Sequence, residues 1–325
     1  MTVTGPNIKD IRVLREELTD KIVSTPVVRC AAIESAVGGG TTVLAKLEFL
    51  QRTGTFKARG ALATLRCLDQ QQLEAGVTAV SAGNHAIATA FAARALGTTA
   101  KVVMTDTANP SRVAACRSFG AEVVLAADVH EAFEVAQQIQ DDEGRFFVHP
   151  FEGPTIALGT GTVGLEIHEQ VEEFDTVIVP IGGGGLIGGI ANALKQLRPG
   201  CEIIGIEPEG ADTMHRSRAA GEPKSIDTVG TIADSLGAPF ALPYSFALTE
   251  ASVDRLVLVS DLELRRAMGF LFQSMKIGVE PACAASTAAL LGPLRDSLRG
   301  KRVVLVMCGS NIDWETFAQQ VIFDE

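Results

Sequence analysis

Three short segments carry residue types that could do chemistry. Lys57 sits in TGTFKARG (53–60), between small and aromatic residues. A lysine attacks a carbonyl only when its amine is neutral at working pH, so it must be partly desolvated or lie near positive charge, as Phe56 and Arg59 would arrange. A solvated lysine at a helix start would look the same in isolation. The second segment is IGGGGLIGG (181–189). TVIVPI (176–181) is uncharged and β-branched-rich and reads as a buried parallel strand, while LIGGIANALKQL (186–197) reads as a helix. Gly182, Gly183, Gly184 and Gly185 therefore form a strand-to-helix turn ahead of Leu186. Residues without side chains let backbone N–H groups converge on an anion, and the helix dipole adds to the attraction. The expected occupant is a phosphate.

Two rivals fit the same glycines. Residues 176–194 carry no charge, as a membrane span would, but six glycines and Pro180 interrupt them. Gly183, Gly185 and Gly188 also satisfy G-x-G-x-x-G, with Glu207 closing the next strand EIIGIE, so a nicotinamide enzyme is an alternative. That fingerprint leaves Lys57 and the third segment, SAGNHA (81–86), unexplained. SAGNHA follows the strand VTAV and opens the helix HAIATAFAARALG. Backbone N–H groups of Ser81, Ala82 and Gly83, with the Asn84 and His85 side chains, could hold a substrate carboxylate there, or Ser81 and Asn84 could simply cap the helix.

A carbonyl-trapping lysine beside a phosphate turn is what pyridoxal 5′-phosphate needs. The motifs are similar to those of fold-type II pyridoxal phosphate enzymes of the threonine dehydratase and serine racemase family, from about Ile8 to Asp313. KLEFLQRTGTFKARGA (46–61) resembles the lysine motif, with Lys57 as the Schiff-base residue and Phe56 beside the cofactor. SAGNH resembles the substrate-carboxylate loop, in which Asn84 also hydrogen-bonds the 3′-oxygen of the cofactor. GGGGL (182–186) resembles the phosphate loop, and VEPACAAS (279–286) and CGSN (308–311) resemble segments near the pyridine ring, with Cys308 by the ring nitrogen. FKARGA and GNHA separate this branch from the threonine and cysteine synthases.

Several positions depart from the pattern. Ile87 and Thr160 replace glutamines, which puts pocket detail and nucleotide activation in question, and Ser235 replaces a glycine. Glu207 and the Ala211 carbonyl resemble the family's divalent-metal site for Mg or Ca, but the later Asp ligand is Thr213; a surface loop is the plainer reading. The racemases of this family carry serine at the second position of the loop, and Ala82 stands there.

The elements that must position these residues follow a regular plan. Apparent strands VLAKLE, VTAVSA, KVVMT, AEVVLA, FFVH, TVIVPI, EIIGIE, LVLV and RVVLVM alternate with Ala-rich helical segments, the signature of parallel α/β sheets. The resemblance implies two parallel-sheet domains of the tryptophan synthase β-like kind: a large one from residues 1–74 and 153–325, a small one inserted at 75–152, and the cofactor in the cleft between them. It also implies a homodimer or higher homo-oligomer, and no C-terminal regulatory domain or feedback control of the longer biosynthetic dehydratases.

Composition excludes other classes. A net charge of −11 leaves no basic stripe for nucleic acid. Six scattered cysteines without a C-x-x-C pair suit free thiols in a reducing compartment, and MTVTGPNIKD lacks the regions of a signal peptide, so the cytoplasm is expected. His130, His149, His168 and His215 show no ligand-like spacing. The resemblance makes the expected activity β-elimination from a β-hydroxy amino acid such as L-threonine or L-serine, giving a 2-oxo acid and ammonia, with Lys57 as base. Cys308 would make the ring a modest electron sink. An amino acid racemase and a non-catalytic pyridoxal phosphate-binding homologue are the alternatives, and the methyl group of Ala82 argues against the first.

Overall fold

Uncharged β-branched runs become the buried strands of two sheets. The computed structural model describes residues 3–323. One sheet has the order β1 (Val27–Arg29), β2 (Thr42–Leu47), β10 (Arg302–Met307), β7 (Thr176–Pro180), β8 (Glu202–Pro208) and β9 (Arg255–Val259). The other runs β5 (Glu122–Ala126), β4 (Ala100–Thr105), β3 (Val77–Val80), β6 (Phe146–Phe147). Every pairing is parallel except β1 with β2. The antiparallel β1 is the departure from the expected parallel sheets, and at three residues it is too short to show a period of its own. β7 is buried at all five positions, as a central parallel strand requires.

The helices are α1 (Ile8–Glu17), α2 (Ala31–Val37), α3 (Lys57–Arg66), α4 (Gln70–Ala75), α5 (Asn84–Ala95), α6 (Pro110–Ser118) and α7 (Val129–Glu143). They continue with α8 (Pro154–Gln170), α9 (Gly185–Leu197), α10 (Thr213–Ala220), α11 (Pro243–Ser252), α12 (Asp261–Met275), α13 (Pro281–Leu291) and α14 (Trp314–Gln320). Among the described residues no helix is long and apolar enough to cross a membrane.

α8 and α9 touch backbone to backbone. A Cβ on Gly189 would stand 2.0 Å from the Thr160 hydroxyl oxygen and 2.6 Å from the Ala157 carbonyl, and one on Gly164 would meet the Ile190 carbonyl at 2.8 Å. These glycines are there for close approach rather than for turns, and they fix where the N-terminus of α9 emerges. Under α3 lies a fully buried ionic cluster. Arg59 binds Glu48 through Nε at 2.8 Å and Glu166 through Nη1 at 2.8 Å, and Lys46 binds Glu166 at 2.5 Å. Two cations and two carboxylates neutralise one another, and removing one would strand a buried charge at a cost of about 3–5 kcal/mol. The cluster therefore locks α3, and with it Lys57, onto β2 and α8.

Candidate active site

The three segments singled out in the sequence converge on one cleft between the sheets. A cavity there is lined by Phe56, Lys57, the glycines 182–185, Leu186, Glu280 and Cys308, among others. Lys57 opens α3 with Phe56 as its N-cap, and its Nζ donates to the Pro150 carbonyl at 2.6 Å, 5.3 Å from the centre of the Phe56 ring. Burial penalises the ammonium and lowers its pKa to about 8, against the opposing pull of the Glu280 carboxylate. At pH 7 roughly a tenth of the amine is then neutral, several hundred times more than for a solvated lysine. Arg59 plays no part in this: its charge is spent on Glu48 and Glu166. The sequence expectation that Arg59 activates Lys57 is corrected on that ground, and desolvation does the work.

The glycine turn is closed against side chains. A Cβ on Gly183 would lie 2.2 Å from the Phe151 ring, and one on Gly185 would lie 2.5 Å from the Phe151 carbonyl oxygen. Gly184 adopts φ 90° and caps α9, so it needs the left-handed freedom of glycine. The first N–H groups of α9 have no intrahelical acceptor and face the cavity at the positive end of a 13-residue helix. That cradle, together with the depressed Lys57 amine, fits pyridoxal phosphate. Thr160 seals it from behind, its hydroxyl donating to the Gly185 carbonyl at 2.7 Å. Ile87, by contrast, is buried in the core around β3 and β4.

Cys308 follows β10 at the cavity wall, and its carbonyl accepts the Phe56 N–H at 3.1 Å. A hydrogen bond with Cys283, then burial, push its thiol well above the usual range, so it stays neutral. Ser81, Ala82 and Gly83 form the turn before α5, with the Gly83 N–H donating to Ser81 Oγ at 3.1 Å. His85 is buried, its pKa lowered to about 3 by desolvation and by Lys57. Being neutral, it spends its single ring proton on the Val148 carbonyl at 2.8 Å.

Asn84 is held from three sides. Its Nδ2 donates to Glu280 Oε1 at 2.8 Å and to Ser235 Oγ at 3.1 Å, while its Oδ1 accepts from Asn311 Nδ2 at 2.8 Å. Glu280 is 1 % exposed, and burial raises its pKa to about 7. Arg112 of α6 lies 3.6 Å from it and also pairs with Asp234. Sequence reasoning did not single out Glu280 or Arg112. An acidic residue directly before the proline that opens a helix is the one signal that could have raised Glu280. Beyond Ala82 and Arg112 a second cavity of about 560 Å³ opens, lined also by Ala108, Ile232, Pro281 and Ile312.

At Glu207, expected beside the Ala211 carbonyl at a metal site, the carboxylate is engaged by protein donors. Glu207 Oε1 accepts the Met214 N–H at 2.7 Å, and Oε2 accepts the His215 N–H at 2.9 Å and Nδ1 of His215 at 2.6 Å. Thr213, where the family carries an Asp, turns its hydroxyl to the Ala238 carbonyl at 2.7 Å. Protein donors thus occupy the carboxylate, and the described residues contain no cluster of three or more His, Cys, Asp or Glu side chains able to hold a metal ion. The lock also seats Met214, whose Cε would be 2.8 Å from a Cβ on Gly184, beneath the phosphate turn.

Comparison with known proteins bears on this arrangement. Residues 18–309 match the family described as "Pyridoxal-phosphate dependent enzyme". The chain is 52% identical over 320 residues to a phenylserine dehydratase of Ralstonia pickettii, covering 98% of each. It is 38% identical to a catabolic L-threonine dehydratase of Escherichia coli K12, over 96% of this chain and 95% of that one. Among solved structures, maize serine racemase superposes with a TM-score of 0.92 at 33% identity, covering 97% of both chains.

Proposed function

The chain belongs to the pyridoxal-phosphate dependent enzyme family, and we propose that within it the protein acts on β-hydroxy amino acids whose β-carbon carries a bulky, aryl group. It is an ammonia-lyase that eliminates the β-hydroxyl and releases a 2-oxo acid and ammonia. The observation that carries this reading is Lys57: a buried amine of pKa about 8, facing a glycine cradle at a helix N-terminus.

Pyridoxal phosphate supplies, when bound, the electron sink that acidifies the substrate Cα–H. Lys57 Nζ would anchor its aldehyde and take the Cα proton. The N–H groups of the turn Gly182–Gly185 and of Leu186 would hold the phosphate, Phe56 would flank the ring, and Asn84 would donate to the ring oxygen. Cys308 would face the ring nitrogen as a neutral thiol. Without a carboxylate there, charge at Cα is poorly delocalised, which favours departure of the β-hydroxyl over return of a proton. Ser81, Ala82 and Gly83 would receive the substrate carboxylate at the N-terminus of α5. On the face where the racemases carry a serine hydroxyl, the Ala82 methyl would offer no proton, so racemisation should be slow. We assign residues 75–152, which contain β3 to β6, as the inserted domain, and the free thiols to a cytoplasmic protein.

The preference for a bulky substituent rests on the 560 Å³ cavity that opens beside Ala82 and on the phenylserine dehydratase relative. The test is 2-oxo acid release from L-phenylserine, L-threonine and L-serine, with chiral chromatography of the serine reaction. Phenylserine should give the highest kcat/KM, and D-serine should form far more slowly than pyruvate. A tenfold preference for threonine would overturn the aryl assignment, and a yellow protein releasing no product would mark a non-catalytic homologue.

A further inference from the structure

We propose that Glu280 is a positioning residue of this site: its carboxylate fixes which way the Asn84 side-chain amide faces, so that Asn84 presents an N–H and not a carbonyl to the ring oxygen of the cofactor. The inference rests on the reading of Asn84 as a cofactor contact. The two ends of an Asn amide have nearly the same shape, so only hydrogen-bond partners decide its orientation. Hydroxyl partners such as Ser235 accept or donate and so cannot decide it. An ionised carboxylate accepts only, and both Glu280 oxygens meet Asn84 Nδ2, at 2.8 Å and 3.1 Å. The opposite end is read by Asn311, whose own amide is oriented by donating to the Thr53 carbonyl at 2.9 Å. A flipped Asn84 would set carbonyl against carboxylate and amide against amide.

The fold is arranged to bring Glu280 there. It is the N-cap of α13, yet its side chain makes no capping bond and reaches instead to α5, 196 residues away in sequence and on the other sheet. Room for it comes from Gly309 in CGSN, where a Cβ would stand 2.6 Å from Glu280 Oε1. The charges facing it are Arg112 of α6, Asp234 in the loop before α11 and Lys57 of α3. Burial raises its pKa to about 7 and Asp234 adds to this, while Arg112, Asn84 and Lys57 oppose it. Below that pH the protonated carboxyl also donates, and its control of Asn84 weakens.

The experiment is titration of cofactor-free wild type, Glu280→Gln, Glu280→Leu and Asn84→Ala with pyridoxal 5′-phosphate, recording affinity, the visible spectrum of the bound cofactor between pH 5.5 and 9, and the melting temperature. Glu280→Leu should bind about 10- to 100-fold more weakly, the loss of one hydrogen bond to a charged oxygen, with a shifted spectrum. Glu280→Gln, which like the protonated acid can donate as well as accept, should bind with an affinity between those of wild type and the leucine variant, near that of wild type at pH 5.5, while losing the spectral transition near pH 7. Asn84→Ala should match the leucine variant. Wild-type affinity and spectrum in Glu280→Leu, with Asn84→Ala impaired, would overturn the role of Glu280. Unimpaired Asn84→Ala would overturn the Asn84 contact and the proposal with it, and a wild type that binds no cofactor would overturn the reading of the cleft as a cofactor site. Equal losses in the glutamine and leucine variants, tracking melting temperature, would reduce Glu280 to a structural charge.

Discussion

Replacing Lys57 by methionine in the cofactor-free protein should make it more stable at neutral pH, because the native state holds this amine against its preference. The lysine pKa falls from 10.5 to about 8 through burial. At about 1.36 kcal/mol per unit, the native ammonium is disfavoured by about 3 kcal/mol at pH 7. The sign follows from proton counts: between pH 8 and 10.5 the unfolded chain binds more protons than the native one, so the penalty is full below pH 8 and fades as pH rises through that window. Methionine is uncharged and of similar length. It gives up the bond to the Pro150 carbonyl, which returns about 1 kcal/mol. The net gain should be about 2 kcal/mol at pH 7 and turn into a small loss, of about 0.5 kcal/mol, at pH 10.5, where the penalty has nearly vanished and the missing bond remains. Denaturant midpoints of cofactor-free wild type and variant at the two pH values measure it, with loss of cofactor colour as the control for function. A variant less stable than wild type at pH 7, or an offset equal at both pH values, would refute the claim that desolvation tunes Lys57.

Two further outcomes follow from the geometry. Gly183→Ala puts a methyl 2.2 Å from the Phe151 ring, so it should abolish cofactor retention on gel filtration and lower stability by about 1–3 kcal/mol; a coloured, fully stable variant would show that the cradle lies elsewhere. Exhaustive chelation should leave melting temperature and turnover unchanged, since Met214 and His215 already fill the Glu207 carboxylate, and a loss restored by Mg or Ca would reinstate the metal.

What the sequence disclosed and what it hid divide along a physical line. Lys57, the glycines 182–185 and the Ser81–Asn84 turn were legible because each answers a local demand: an amine at a helix start, a backbone without side chains, a turn that opens a helix. The strands from β2 to β10 were legible because burial on a parallel sheet leaves uncharged β-branched runs. Arg59 was misread because adjacency in sequence was taken for adjacency in space; two residues along a helix of 3.6 residues per turn is about 200° around it, which turns Arg59 away from the cleft and into Glu48 and Glu166. The engagement of Glu207 was hidden for a related reason, because the donors that satisfy it come from the next helix, and His215 has no spacing that announces them. Glu280 was illegible because its meaning depends on Asn84 and Arg112, both beyond 150 positions away and on the opposite sheet. A side chain that acts by pairing across a cleft leaves no period, and the segments VEPACAAS and CGSN that hold Glu280 and Gly309 do not name the partner. Its traces are indirect: an acidic residue where a cap is expected, as at Glu280, and a glycine where space is needed, as at Gly309. The two stand in separate segments whose meeting only the β7–β10 pairing and the packing of α13 against both strands bring about.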